Sequence, residues 1–351
     1  MPNTREFING AYYPSWRVYR KLPPSTLQLD CINRVYYAFV RVNEDGTLRS
    51  LDEYADDQIP ADGTKGCIPA LVNLKQRSPG LKALVSIGGG SGSKEFPALA
   101  AHETSRARFA KACREFVDRY GLDGVDLDWE HPENNVDGHN FIILLEALRQ
   151  ELPAPRYEIS AALPVGEYVL RHIDLARAAR SLDYLNLMCY DFNGPWTELC
   201  GYQSQLLPLS NNIHDVHPCL RRSGYAAVEY VTSRGFPADK IVLGIPAYAR
   251  SFGGAYGVGQ PFTSNAEIDY IDLPRDWIHN ASIDTDTGAS FYVDRTENGK
   301  GFVTFDVPET VKQKARFVKT MGLAGLFYWT GVGDVIGPES LVRAGFEALN
   351  S

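Results

Sequence analysis

Residues 123–130 read Asp123-Gly-Val-Asp126-Leu-Asp128-Trp-Glu130. In extended backbone, side chains alternate, so Asp126, Asp128 and Glu130 share one face while Val125, Leu127 and Trp129 share the other. Taken alone, this is the pattern of a half-exposed strand with a solvated acidic face. The flanks argue otherwise. Upstream, a helix starting after Ser105 sets Phe109, Cys113, Phe116, Val117 and Tyr120 at helical spacing and stops at Gly121, a suitable residue for a left-handed C-cap. Downstream, Phe141, Leu144, Leu145, Leu148 and Leu152 share a helix face that ends before Pro153. A parallel strand flanked by two such helices is covered on both faces, which turns the acidic side into the interior of a barrel.

The same strand and helix unit recurs along the chain. Short apolar runs stand at Phe7–Tyr13, Ile32–Val40, Leu81–Ile87, Gly124–Asp128, Tyr157–Ala162, Tyr184–Met188, Ile241–Ile245 and Leu323–Tyr328. Eight runs alternating with helices predict an α/β fold, the (β/α)8 TIM barrel. The chain has 351 residues, and barrels of ~250 residues are common, so one barrel plus an insertion accounts for the length. The excess falls in one interval. Between the seventh and eighth runs only Val307–Met321 reads as the expected crossover helix, and a connection that long carries structure of its own. The expected division is a barrel over residues 1–251 and 305–351, with a small α+β insertion subdomain at 252–304 on the catalytic rim, between strands 7 and 8.

Composition narrows the partners. Lys+Arg number 35 against 43 Asp+Glu, a formal net charge of −8, with 44% hydrophobic and 22% charged residues. These values exclude disorder, collagen and coiled coil for the whole chain, and with no basic run they argue against nucleic acid or an anionic membrane as partner. The expected form is a monomer. Six cysteines are too few for a disulfide framework. Cys113 and Cys189 lie in apolar runs as buried thiols, while Cys31, Cys67, Cys200 and Cys219 form no C-x-x-C pair.

Three inward carboxyls mark a site, because a buried carboxyl costs several kcal/mol unless it is protonated or paired. Their repulsion lets one ionise while a neighbour stays protonated, which raises a Glu above its ordinary pKa and suits it to act as an acid near neutral pH. Glu130 lies outermost, at the strand end where barrel active sites are built. It is the general-acid candidate. A carboxylate cluster also suits Mg²⁺ or Mn²⁺, but the chain offers no completing ligand set, so no metal and no cofactor are assigned. Gly88–Lys94 does not match a phosphate loop, and no G-x-S-x-G elbow is present.

These residues resemble the family 18 glycoside hydrolases, and within them the chitinases with an α+β insertion. The pattern D-x-x-D-x-D-x-E stands at Asp123 to Glu130, followed through the fold by Ser86-Ile-Gly88-Gly89, Met188-Cys-Tyr190-Asp191, Gly244-Ile-Pro-Ala-Tyr248-Ala-Arg250-Ser-Phe252 and Tyr328-Trp329. The resemblance implies a retaining enzyme acting on chitin or chito-oligosaccharides by substrate-assisted catalysis, a recognised exception to the two-carboxylate scheme. Glu130 would be acid and base, Asp128 would orient the substrate acetamide, Asp126 would hold Asp128 before substrate arrives, and the Tyr190 hydroxyl would bond the acetamide carbonyl with Asp191 and Met188 beside it. Trp329 would floor the cleavage subsite. Tyr248 and Arg250 would bond the sugar, Tyr12 and Phe39 would line the pocket, Trp196 would serve the leaving-group side and Trp16 the distal glycone side. The chain departs from the pattern at Gly90, where many relatives carry a tryptophan platform. Two other readings belong to the same barrel: a non-catalytic chitin-binding lectin, which the acid Glu130 argues against, and an endo-β-N-acetylglucosaminidase acting on N-glycans, which the insertion and Trp329 argue against. Met1–Gly10 lacks the apolar core of a signal peptide. The expectation is an intracellular or non-classically released protein, or a secreted one if a leader has been removed.

Overall fold

A computed structural model describes residues 6–351. Residues 1–5 of the expected barrel segment lie outside the described residues. Eight parallel strands close into a ring: β1 (Ile8–Pro14), β2 (Arg34–Val42), β3 (Lys82–Gly88), β4 (Gly124–Asp128), β5 (Glu158–Pro164), β6 (Tyr184–Met188), β7 (Ile241–Pro246) and β8 (Gly325–Trp329). Each pairs with its chain neighbours, and β1 pairs with both β2 and β8, which closes the barrel. This is the (β/α)8 TIM barrel.

The alternation in β4 sets the layering. Val125, Leu127 and Trp129 are buried outward against the helices, where Trp129 stacks on Phe96 at 5.4 Å and meets Phe141 edge-on at 6.1 Å. Phe96 opens the short helix Phe96–Ala101 and Phe141 lies on the helix Asn135–Glu151; the helix Glu103–Tyr120 between them in the chain is closed by Gly121 in the left-handed conformation. Cys113 and Cys189 are buried, and all six cysteines are free thiols. Inside the ring, side chains fill the barrel in layers. At the base, Glu158 is held by Arg34 Nε at 2.9 Å and Lys82 Nζ at 2.8 Å. Above it lie Tyr36, Leu84, Val242 and Phe327, and the carboxyls of β4 face upward from there.

A second sheet stands on the rim. Its five antiparallel strands run in the order Ser264–Asp269, Tyr248–Gly253, Gly301–Thr304, Ala289–Asp294, Ser282–Asp284. The first of these in the chain begins at Tyr248, ahead of the position 252 read from sequence, so Tyr248 and Arg250 belong to this sheet. A buried ion pair ties the sheet's end to the returning helix Pro308–Met321: Lys314 Nζ donates to Asp306 at 2.8 and 2.7 Å, and Ser204 and Thr310 add bonds at 2.9 and 2.7 Å. Arg17 and Arg20, after β1, reach across to Asp269 on the same sheet.

Candidate active site

The strand ends surround a cleft of about 440 Å³, within the range of small-molecule sites. Of the residues singled out in the sequence, Tyr12, Phe39, Asp128, Glu130, Met188, Tyr190, Asp191, Trp196, Tyr248 and Trp329 line it. Asp126 lies beneath, Arg250 behind Asp191, and Trp16 at the outer edge against Phe39 and Trp329.

Asp126 is fully buried and collects four donors. Tyr12 and Ser86 hydroxyls donate to Oδ2, each at 2.7 Å, while Ser160 donates to Oδ1 at 2.7 Å and Asn186 at 3.2 Å. The Asn186 amide also donates to the Tyr12 hydroxyl at 3.0 Å. Burial pushes the Asp126 carboxyl up, and the serine, tyrosine and asparagine bonds pull it back. A carboxyl receiving four donors is stabilised as the anion.

Asp128 differs. It is 4% exposed, and its Oδ1 has no hydrogen-bond partner. Burial raises its pKa well above the usual range, and the charges of Glu130 and then Asp126 raise it further. Glu130 is raised to about 7, first by burial and then by the charge of Asp191, with Asp128 and the Gly90 backbone opposing. Neighbouring carboxyls resist ionising together, so the two titrate as a pair. Asp128 therefore pairs with Glu130, and the bonds of Asp126 go to its four donors.

Backbone geometry supports this arrangement. The Glu130 N–H donates to Ser93 Oγ at 2.8 Å, and Ser93 Oγ donates to the carbonyls of Gly89 at 3.0 Å and Asp128 at 3.2 Å. Gly88 and Gly89 have φ of 117° and 80°, and a Cβ there would stand 2.1 Å from the Asp128 carbonyl and 2.7 Å from the Phe39 ring respectively. Only glycine meets both demands. At Gly90 the nearest atoms to an added Cβ are the Glu130 carboxyl oxygens at 3.7 Å, so this position opens directly onto the acid.

Across the cleft, Asp191 adopts a left-handed conformation with φ 57° and accepts from Tyr248 at 2.7 Å and Arg250 Nε at 2.6 Å. Arg250 also pairs with Glu267 at 3.3 Å and lies under the Trp196 ring at 4.8 Å. Tyr190 stands edge-on to Tyr248 and Phe327. Trp329 packs on Phe39 at 5.6 Å and edge-on to Tyr12 at 5.5 Å. Sequence reading missed Ser160 and Asn186 as partners of Asp126, and it missed His131, Tyr168, Arg222 and Glu267 in the cleft wall. His131 is pushed down to about 4 by burial, so its ring is neutral at ordinary pH. Its position directly after Glu130 was the available signal; Tyr168, Arg222 and Glu267 sit on loops and the second sheet, with no local pattern to mark them. Among the described residues, no group of three His, Cys, Asp or Glu is placed to hold a metal ion.

A barrel with stacked carboxyls at a strand end, one of them raised to about 7, forms a site equipped for general acid catalysis. The profile of the glycosyl hydrolases family 18 matches residues 9–334. Endochitinase 1 of Metarhizium robertsii is 32% identical over 361 aligned residues, covering 96% of this chain and 84% of that protein. Among solved structures, chitinase ChiA74 of Bacillus thuringiensis superposes with a TM-score of 0.83 at 25% identity, covering 99% of this chain and 70% of that one. A family 18 N-acetylglucosaminidase of Paenibacillus barengoltzii superposes with a TM-score of 0.81 at 25% identity, covering 98% and 100%. The chain belongs to glycosyl hydrolases family 18 and is a glycoside hydrolase.

Proposed function

We propose that this protein is a retaining chitinase that hydrolyses β-1,4 bonds between N-acetylglucosamine units, with the substrate's 2-acetamido oxygen as nucleophile. The observation that carries the reading is Asp128 beside Glu130 at the cleft floor, both carboxyls pushed up by burial, with an Asp128 oxygen that has no hydrogen-bond partner; in this reading the two share one proton. When a sugar settles on Trp329, its acetamide N–H gives Asp128 the partner it lacks. Asp128 then becomes the anion, and the shared proton passes to Glu130. Glu130 donates that proton to the leaving oxygen as the acetamide oxygen attacks the anomeric carbon from the opposite face. Asp128 stabilises the positive charge on the oxazolinium ring, and the Tyr190 hydroxyl donates to the acetamide oxygen as it attacks. Glu130, now a carboxylate, takes a proton from the incoming water, which opens the ring. Asp126, anchored by its four donors, keeps a fixed negative charge below and favours the proton on the pair above. Tyr248 and Arg250 hold Asp191 beside Tyr190.

Product analysis with an N-acetylglucosamine hexamer, beside a glycoprotein carrying N-glycans, tests this. The expected result is cleavage of the hexamer to shorter oligomers with no release of the N-glycan. Binding without turnover would support a lectin, glycan release without hexamer cleavage an endo-β-N-acetylglucosaminidase, and release of single sugars from one end alone an exo-acting N-acetylglucosaminidase.

A further inference from the structure

The loop Gly88–Lys94, which matches no phosphate-binding pattern, leaves β3 and folds back onto the end of β4. The Gly89 N–H donates to the Asp128 carbonyl at 2.8 Å, and the Gly89 carbonyl accepts the Gly92 N–H at 2.8 Å. The second bond closes a tight turn with Gly90 and Ser91 at its corners. In such a turn the N–H of the first corner residue has no partner within the turn. Here that residue is Gly90. Its backbone bonds the Glu130 carboxyl and lowers its pKa. A backbone group with that effect is a donor, so the bond is made by the Gly90 N–H. A Cβ at Gly90 would stand 3.7 Å from both Glu130 carboxyl oxygens, so the bare backbone of the turn faces the acid.

Ser93 locks this contact. Its side chain is 6% exposed. Oγ accepts the Glu130 N–H at 2.8 Å and shares its own proton between the carbonyls of Gly89 at 3.0 Å and Asp128 at 3.2 Å. One hydroxyl thus joins the backbone of the acid to the first residue of the turn whose corner meets the acid's carboxyl. The outer side of the turn is held as well, by Arg41 Nη2 donating to Ser91 Oγ at 2.8 Å.

We propose that Ser93 is a positioning residue for the reaction: by fixing the Glu130 backbone to the Gly89–Gly92 turn, it keeps the Gly90 N–H on the Glu130 carboxyl. The proposal rests on the reading of Glu130 as acid and base. It has a definite sign. A donor on the carboxylate favours the anion and opposes the effect of burial, so without it the carboxyl keeps its proton to higher pH. The same donor serves the second half of the reaction, in which Glu130 must be a carboxylate to take a proton from water.

The test measures the pH profiles of kcat and kcat/KM on N-acetylglucosamine oligomers for wild type, Ser93→Ala, Ser93→Thr and Ser105→Ala. Ser105 is a matched control outside the cleft lining: it is 7% exposed, and its hydroxyl donates to the carbonyls of Leu99 at 2.7 Å and His102 at 3.0 Å. In Ser93→Ala, kcat at about pH 6 should fall about tenfold as the acid shifts from its productive geometry. The alkaline limb, which falls near 7 in wild type, should move up by about one unit, the change for losing one hydrogen bond to a charged group. Ser93→Thr, which keeps the hydroxyl, should keep the limb at the wild-type position, and Ser105→Ala should lower the melting temperature without moving the limb. A limb unmoved in Ser93→Ala, moved as far in Ser93→Thr, or moved equally in Ser105→Ala overturns the positioning role while leaving the chitinase reading intact. Failure of wild type to cleave the oligomers defeats the chitinase reading and this role with it.

Discussion

Replacing Glu130 by Gln should make the protein more stable and nearly inactive, with a pH dependence that follows from the raised carboxyl. The folded-state pKa rises from 4.5 to about 7. A group raised in this way contributes stability that is fully present below its unfolded value and lost as pH rises through the folded value. Below about 4.5 the Glu is protonated in both states and costs nothing. Above about 7 the folded protein must carry the buried anion, at up to ~3 kcal/mol at 1.36 kcal/mol per pKa unit. The amide keeps the shape without the charge, so the variant gains that amount at pH 8 and nothing at pH 4. With an unfolding entropy of ~2.1 cal/mol/K per residue, the gain is a rise in Tm of roughly 4 °C for a chain this long. Turnover should fall ~10²–10⁴-fold through loss of the acid. Wild-type turnover should itself decline as pH rises through about 7, where Glu130 loses its proton. Calorimetric melts of both proteins from pH 4 to 9, beside hydrolysis of chito-oligosaccharides, read all of this. A Tm difference that does not change with pH, or turnover within tenfold of wild type, would refute the reasoning.

Trp329→Ala should raise KM and lower kcat together, reducing kcat/KM at least about tenfold, because one ring face holds both the bound sugar and its distorted form; unchanged kcat in steady-state assays would remove Trp329 from the cleavage subsite. Gly90→Trp should raise the share of transglycosylation products, since an added Cβ is in ordinary contact with the Glu130 oxygens and the indole extends over the leaving-group side. Product ratios matching wild type by chromatography would show that this position does not limit acceptor binding.

The barrel was legible because its signal is local. The runs Gly124–Asp128 and Tyr184–Met188 match β4 and β6 residue for residue, and the others shift by one or two residues at one or both ends. Most shifts have one cause: the strands continue through polar or proline residues at their C-terminal ends, as β2 does through Arg41 to Val42 and β5 to Pro164, where an apolar criterion stops early. Tyr248–Gly253 follows β7 after one residue, with no turn signature to show that a new sheet begins. The support of Asp126 was hidden for a different reason. Its donors Tyr12, Ser86, Ser160 and Asn186 come from β1, β3, β5 and β6, and only closure of the ring brings them together. Neither Ser86 nor Ser160 sits in a G-x-S-x-G elbow, and the geometry makes both donors to Asp126. Tyr248 and Arg250, expected at the sugar, both donate to Asp191, a link between the loop after β6 and the second sheet that no local pattern marks.

The most direct test of the account follows the configuration of the fresh product by proton NMR before mutarotation, with N-acetylglucosamine oligomers beside fully deacetylated and cellulose oligomers of equal length. Attack by the acetamide oxygen and then by water inverts the anomeric carbon twice, so the account predicts a β product and no cleavage of either acetamide-free oligomer. An initial α product, or rapid cleavage of an oligomer lacking the acetamide, would contradict substrate assistance even with Glu130 essential, because Asp128 would then have no partner to orient.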